Sequence, residues 1–317
     1  MKSKRTQRKG APILFVGLTC LTVCLVGFNA MAQGPGKRNQ QKQSNVCPLE
    51  NKTAISLKWK DSTQQVQSIS SATGNLYKQV SHHGPAVENE FAAYRFYFDH
   101  KVSIDVYNKV KPGLELEEAA WYPTKEQQQQ GWGADQYKVW STVGCGGVRL
   151  WDGSKEVFLN PVTKRTARVC KEANHSYMEM LSEGIPYMGD TIDVLVRLTV
   201  FSGRREAKVE AFAFSAKPVK FLTGLNFHPQ TETAAGSNYV ASWGIHPEDV
   251  AAFQMKIGAA VWYNPADFEP LVKVDDVFRL VSKPTHYLST WITTACEKEV
   301  GMADFAQFSS YLNAFKP

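Results

Sequence analysis

The 317-residue sequence carries no Gly-x-Gly-x-x-Gly fingerprint after a strand pattern, no phosphate-binding loop and no EF-hand loop. Dinucleotide, nucleotide and EF-hand calcium chemistry therefore have no recognisable seat. His-Glu-x-x-His and Gly-x-Ser-x-Gly are missing as well, so neither a zincin nor a hydrolase nucleophile elbow is encoded. No Cys-x-x-Cys pair and no paired histidines at ligand spacing occur, and neither a metal nor a cofactor is expected. Basic residues outnumber acidic ones by only 36 to 30, and Lys2, Lys4, Arg5, Arg8 and Lys9 supply five of the positive charges. The remainder is close to neutral, with no basic stripe interleaved with aromatics, which argues against nucleic acid as a partner. Helical periodicity is also scarce, and no repeat of 20–50 residues appears.

What is present begins with a targeting pattern. The basic start is followed by an apolar run over residues 11–28 and by Ala30-Met31-Ala32, a small-residue cleavage site. Residues 1–32 read as a signal peptide, leaving an exported protein, periplasmic or extracellular, with no stable membrane span after cleavage. Residues 33–55 open polar and Gly/Gln-rich, a flexible leader. Cys20 and Cys24 leave with the signal. Cys47, Cys145, Cys170 and Cys296 remain, enough for two disulfides in an oxidising compartment. Cys145, between Gly144 and Gly146-Gly147, has no neighbouring histidine motif and reads as a buried thiol.

From residue 56 to 317 the pattern is strand-like, a single domain. Runs at 194–201, 207–214 and 256–263 are rich in Val, Phe, Tyr and Ala, punctuated by Gly, Pro, Asn and Asp. Ser202-Gly203 marks a hairpin. Residues 126–130 read as a loop edge. Asp304 is placed to cap a short C-terminal helix with Phe305, Phe308, Tyr311 and Leu312 on one face. The fold class is all-β, a large β-sandwich with a short C-terminal helix.

Residues 82–109, HHGPAVENEFAAYRFYFDHKVSIDVYNK, are the richest in chemistry. Two strands meet at a turn over Asp99-His100-Lys101. Alternation puts Tyr94, Phe96, Phe98, Ile104 and Val106 on one face, and Arg95, Tyr97, Ser103, Asp105, Tyr107 and Lys109 on the other. The second face suits a polar, sugar-binding groove, in which Arg forks onto carboxylates or hydroxyls and Tyr stacks or acts as an acid. Cross-strand pairing such as Arg95 with Asp105 is the bland alternative. His82 and His83 enter this hairpin beside Glu90, and only one of the two adjacent histidines can face a shared site. His228 and His246 lie at loop edges, and Trp132 and Asp135 lie in a Trp/Gly loop that offers a platform over a sugar.

The 82–109 stretch, together with Thr199-Val200-Phe201-Ser202-Gly203, residues 220–228 and Leu288-Ser289-Thr290-Trp291, resembles the domain-of-unknown-function family numbered 4861. The resemblance runs from about residue 58 to the C-terminus. It implies a galactose-mutarotase-like β-supersandwich with a polar concave face, in exported proteins of polysaccharide-utilising bacteria. It further implies an oligosaccharide dehydratase acting on uronic-acid-containing glycans. Such an enzyme abstracts the C5 proton and expels the 4-hydroxyl. His83 or Tyr107 would be the base, Tyr97, Tyr107 or a second histidine the acid, and Arg95 or Lys109 the cation on the carboxylate. His82, Glu90, Asp105, Trp132, Asp135 and His246 complete the expected substrate contacts.

Two other readings stay open. A sugar epimerase or mutarotase would use His228 or His83 as acid and a carboxylate such as Glu90 or Asp135 as base. A non-catalytic glycan-binding protein would use the same face without reaction. One architecture hosts many activities, so the fold does not choose among them.

Overall fold

The structure, a computed structural model, describes residues 50–119 and 122–316. The signal segment, nearly all of the leader, Cys47 and Trp121 lie outside the described residues. Among the described residues the strands form three antiparallel sheets. The largest has nine strands, in the order Glu232–Ala235, Tyr239–Gly244, Ile257–Trp262, Tyr287–Cys296, Arg204–Phe214, Asp190–Phe201, His175–Tyr187, Lys164–Lys171 and Ser68–Ser71. Its centre follows directly from period-two patterning. In Asp190–Phe201 the side chains of Ile192, Val194, Val196, Leu198 and Val200 are buried, while Asp193, Leu195 and Arg197 between them are partly exposed. This strand turns into Arg204–Phe214 at Ser202-Gly203, with Gly203 at φ +73° supplying the left-handed position.

A second layer covers that sheet. A four-stranded sheet, ordered Thr53–Ser56, Ala86–Asn89, Ala92–Phe96 and Ile104–Asn108, packs over His175–Tyr187 and Asp190–Phe201. A five-stranded sheet, ordered Val272–Val274, Val277–Val281, Phe221–Asn226, Arg149–Trp151 and Glu156–Val157, packs over Tyr239–Gly244 and Ile257–Trp262. Residues 143–146 stitch the two together. Cys145 N donates to Ile104 O (3.1 Å) and Gly146 N to Gly224 O (2.8 Å). Gly144 permits this approach: a Cβ there would lie 1.9 Å from Ile104 O, and its φ is +74°. Between the layers lies the main core, including Phe96, Ile104, Val106, Val194, Leu225, Val261 and Ile292.

The C-terminal helix Phe305–Ala314 forms where the sequence places it. Asp304 caps it by accepting from Gln307 N at 2.8 Å, and Phe308 and Leu312 pack with Trp243 and Trp262 on the far face of the nine-stranded sheet. Two expectations are corrected. Residues 126–130, read as a loop edge, contain most of a short helix, Lys125–Gln129, held by a capping box between Thr124 and Gln127. Cys145, Cys170 and Cys296 are free thiols, so the two disulfides that four cysteines allow do not form. Cys145 and Cys296 are enclosed in the core, where burial pushes both thiols up, that of Cys296 to about 11. Among the described residues no helix is long and apolar enough to cross a membrane.

Candidate functional site

The hairpin Ala92–Phe96 and Ile104–Asn108 pairs in the register the alternation requires, with Arg95 opposite Asp105 and Tyr94 opposite Val106. Both of its faces are buried, however. The polar face is covered by Leu116, Tyr122, Asp135 and Thr142, and the expectation of an open groove wall is corrected there. Arg95 is only 1% exposed. Its Nε and Nη2 donate to Asp105 Oδ2 at 3.0 and 2.6 Å, and Nη2 also donates to Asp135 Oδ2 at 2.7 Å. Tyr97 OH donates to the same Asp105 oxygen at 2.8 Å. The rings of Tyr97, Tyr107 and Tyr122 surround the guanidinium at 5.0, 5.0 and 5.3 Å.

One cation thus faces two buried carboxylates. Burial, and then the charge of Asp105, push Asp135 well above the usual carboxylate range. Asp135 Oδ1 and Tyr107 OH have no hydrogen-bond partner among the described residues. His83 joins the edge of this cluster. Its Nδ1 donates to Tyr77 O (2.9 Å), its Nε2 is 2.8 Å from Tyr122 OH, and its ring stacks on Tyr77 at 3.9 Å. Burial pulls His83 down to about 4. His82 is buried, and its carbonyl accepts from Arg95 Nη1 at 3.4 Å. Both histidines have left-handed backbone, φ 55° and 61°.

Lys109 is placed elsewhere than the expected groove. Its ammonium is buried against Glu88 and donates to Asn89 O and Gly113 O at 2.9 and 2.7 Å. Glu88 in turn accepts from the backbone of Glu115 and Leu116 at 2.6 and 2.7 Å. Lys109 therefore clamps a loop and has no charge to spare for a substrate. Glu90 accepts from Gly203 N at 2.8 Å and sits 3.7 Å from Lys52, and Trp132 lines a separate cavity with Gln128, Phe253 and Lys298.

A second constellation lies on the outward side of the same layer. Strand Phe221–Asn226 alternates Phe221 and Leu225 into the core, leaving Asn226 and, just beyond the strand, His228 outward. His228 and His246 approach with ring centroids 4.4 Å apart, nearly perpendicular. One residue fixes both tautomers. Lys138 O accepts from His228 Nε2 (3.1 Å), and Lys138 N donates to His246 Nδ1 (3.1 Å). His228 Nδ1 is then a lone-pair acceptor and His246 Nε2 carries a proton, and neither has a partner among the described residues. Burial lowers the pKa of both rings, that of His246 to about 3, so both are neutral at pH 7. They line a cavity of about 380 Å³ with Gln230, Pro247, Glu248 and Gln254. An acceptor beside a donor is what one hydroxyl group, itself donor and acceptor, would satisfy. Both nitrogens are shielded from solvent, so lining side chains must shift before a hydroxyl reaches them.

The structure thus brings together Arg95, Tyr97, Asp105, Tyr107, Asp135, His82 and His83 in one cluster and His228 with His246 in another. Lys109, Glu90 and Trp132 stand apart. Segment 134–142 touches both clusters, through Asp135 at Arg95 and Lys138 at the histidines. Trp140, half exposed with φ 50°, sets its ring edge-on to His228 at 4.8 Å. Sequence reasoning missed Trp140, Lys138 and Asn226 as site residues. Asn226, two positions before His228 on the same outward face, is the signal that was available. Among the described residues no group of three or more His, Cys, Asp or Glu is arranged to hold a metal.

A family model described as "Domain of unknown function (DUF4861)" matches residues 29–317. A search of curated proteins returned no match. Among solved structures, the chain is similar to one titled a putative kojibiose phosphorylase from human microbiome, at 10% identity and a TM-score of 0.46. The match covers 81% of this chain and 36% of that one, so this chain spans about a third of that protein's length. It is also similar to a putative aldose 1-epimerase from Klebsiella pneumoniae subsp. pneumoniae MGH 78578, at 10% identity and a TM-score of 0.38, covering 71% of this chain and 81% of that one. At such identities and scores neither similarity carries information about substrate.

Proposed function

The chain belongs to the DUF4861 family, and from that premise we propose that it is an exported carbohydrate-active enzyme of the epimerase or mutarotase kind. The exported form is read as a single domain following a cleaved signal peptide. The observation that supports this reading best is the tautomer-locked pair His228 and His246 at a cavity of about 380 Å³. In mutarotation the C1–O5 bond of a cyclic sugar breaks while the proton on O1 moves to O5. His228 Nδ1 takes the O1 proton and delivers it to O5 as the ring opens. His246 Nε2–H donates a hydrogen bond to the oxygen that carries developing charge. Closure of the ring on the other face of C1 reverses the transfer. No net proton is consumed, because the proton that His228 takes from O1 is the one it returns to O5.

Elimination of water from a uronate has less support at the residues first expected to drive it. It needs an uncompensated cation to hold the carboxylate, and Arg95 and Lys109 are both buried and ion-paired. Polarimetry of freshly dissolved aldoses tests the proposal. The purified protein accelerates the approach to the equilibrium rotation, and His228→Asn lowers that acceleration by about 100-fold or more, the usual worth of a general acid–base group. Failure to accelerate any of a panel of hexoses and pentoses sinks the reading. An unsaturated, near-ultraviolet-absorbing product from uronic-acid oligosaccharides would establish the dehydratase instead, and binding without any product would establish a glycan-binding protein.

A further inference from the structure

The outward face of the five-stranded sheet carries a cavity of about 340 Å³ that no reading so far has used. Strand Val277–Val281 alternates Phe278 and Leu280 into the core and Arg279 into this cavity. The Arg279 guanidinium lies over the Trp151 ring at 4.6 Å, a contact that holds its plane in place. Two arginines line the cavity, and their circumstances differ. Arg149 is neutralised: Nη1 pairs with Glu156 at 2.6 Å, and Nη2 donates to Ser141 O and Thr142 O at 2.5 and 2.8 Å. Arg279 makes no ion pair among the described residues, and its Nε, shielded from solvent, has no hydrogen-bond partner. Lys155 lines the same cavity, and Asp275 is the one acidic lining residue besides the paired Glu156. The lining therefore has more positive than negative charge, set beside an aromatic ring.

The position relative to the histidines is also informative. Segment 138–142 links the two sites. Lys138 fixes His228 and His246, while Ser141 and Thr142 line the Arg279 cavity. Asn226 ties both ends of that segment, donating to Lys138 O at 2.9 Å and accepting from Thr142 Oγ1 at 3.0 Å. Trp140, half exposed, crowns it.

We propose that the Arg279–Trp151 cavity is a subsite for a sugar bearing an anionic group, a carboxylate or a sulfate, on a residue neighbouring the one that reaches the histidines. The proposal rests on the carbohydrate reading given above and deepens it by naming the charge of the ligand. The Arg279 fork takes two anionic oxygens, with the Trp151 ring holding the guanidinium in place. Lys155 adds a charge at the rim.

Calorimetric titration at low salt with D-glucuronate, D-glucose 6-sulfate and D-glucose tests this directly. At least one anionic sugar binds about tenfold more tightly than glucose, the range expected of a charge-assisted hydrogen bond. Arg279→Gln brings the sugars within about twofold of one another, and Arg279→Lys keeps part of the preference because charge survives without the fork. Which anionic sugar is preferred identifies the group. Equal binding of all three sugars by the parent protein overturns the proposal, as does a preference that persists in a folded Arg279→Gln protein. Polarimetry on the same variants separates this from the catalytic reading. An Arg279-dependent preference without mutarotase activity sinks the catalysis alone. Mutarotase activity without any anionic preference sinks the subsite alone.

Discussion

At the scale of single residues, the buried charges decide more than their exposure-blind pattern suggested. Arg95 holds two carboxylates in the interior, so removing it leaves charge without a partner. Arg95→Ala is expected to destabilise the fold by about 3–5 kcal/mol, read from urea unfolding; a loss under about 1 kcal/mol would show that the pairs contribute little. His246 contributes a pH dependence. Its folded pKa of about 3 lies below the ordinary value near 6.5. Below pH 6.5 the unfolded chain takes up a proton there that the folded chain refuses. The stability His246 contributes is therefore complete above pH 6.5 and is lost as pH falls towards 3. Asp135, whose pKa is raised, works in the opposite direction, so the two are separated by variant. Urea midpoints at pH 7.5 and 4.5 should drop less in His246→Gln than in the parent, and equal drops would remove His246 as a cause. Arg95, Asp105 and Tyr97 were legible in the sequence as partners on one strand face, because period two is a local property. Their burial was not, since it depends on a covering chain that reaches residue 142.

At the scale of elements, the strap at 143–146 is the feature that strand propensity could not reveal. It is short and glycine-rich, and it bridges the two small sheets through two hydrogen bonds with Ile104 on one side and one with Gly224 on the other. Gly144→Ala places a methyl group 1.9 Å from Ile104 O at a φ of +74°, and should cost about 3 kcal/mol or more from overpacking and left-handed strain together. Gly203→Ala has a similar φ but meets nothing within 4 Å, and should cost only about 1–2 kcal/mol. Matching losses in thermal or urea unfolding would show that the strap is not under steric constraint. The long strands and the C-terminal helix were legible, because each displays its own periodicity and cap. Helix Lys125–Gln129 was not, since five polar residues show no periodicity and only the Thr124–Gln127 box forms it.

At the scale of the whole molecule, one layer of nine strands supports a second made of two smaller sheets, and each candidate site sits on the second layer. Long-range pairing sets the distances that matter. His228 and His246 meet through Lys138, 90 and 108 residues away along the chain. Arg279 finds Trp151 across the five-stranded sheet. The sequence by itself determined the all-β class, the two faces of each long strand, the hairpin at Gly203 and the capped C-terminal helix, because these follow from backbone periods of 2 and 3.6 and from residues a few places apart. Only the tertiary structure decided that the polar hairpin is enclosed, that Cys145, Cys170 and Cys296 stay free thiols and that two histidines share one residue's backbone. Burial and tautomer depend on what the rest of the chain lays over a side chain, and no local period records that.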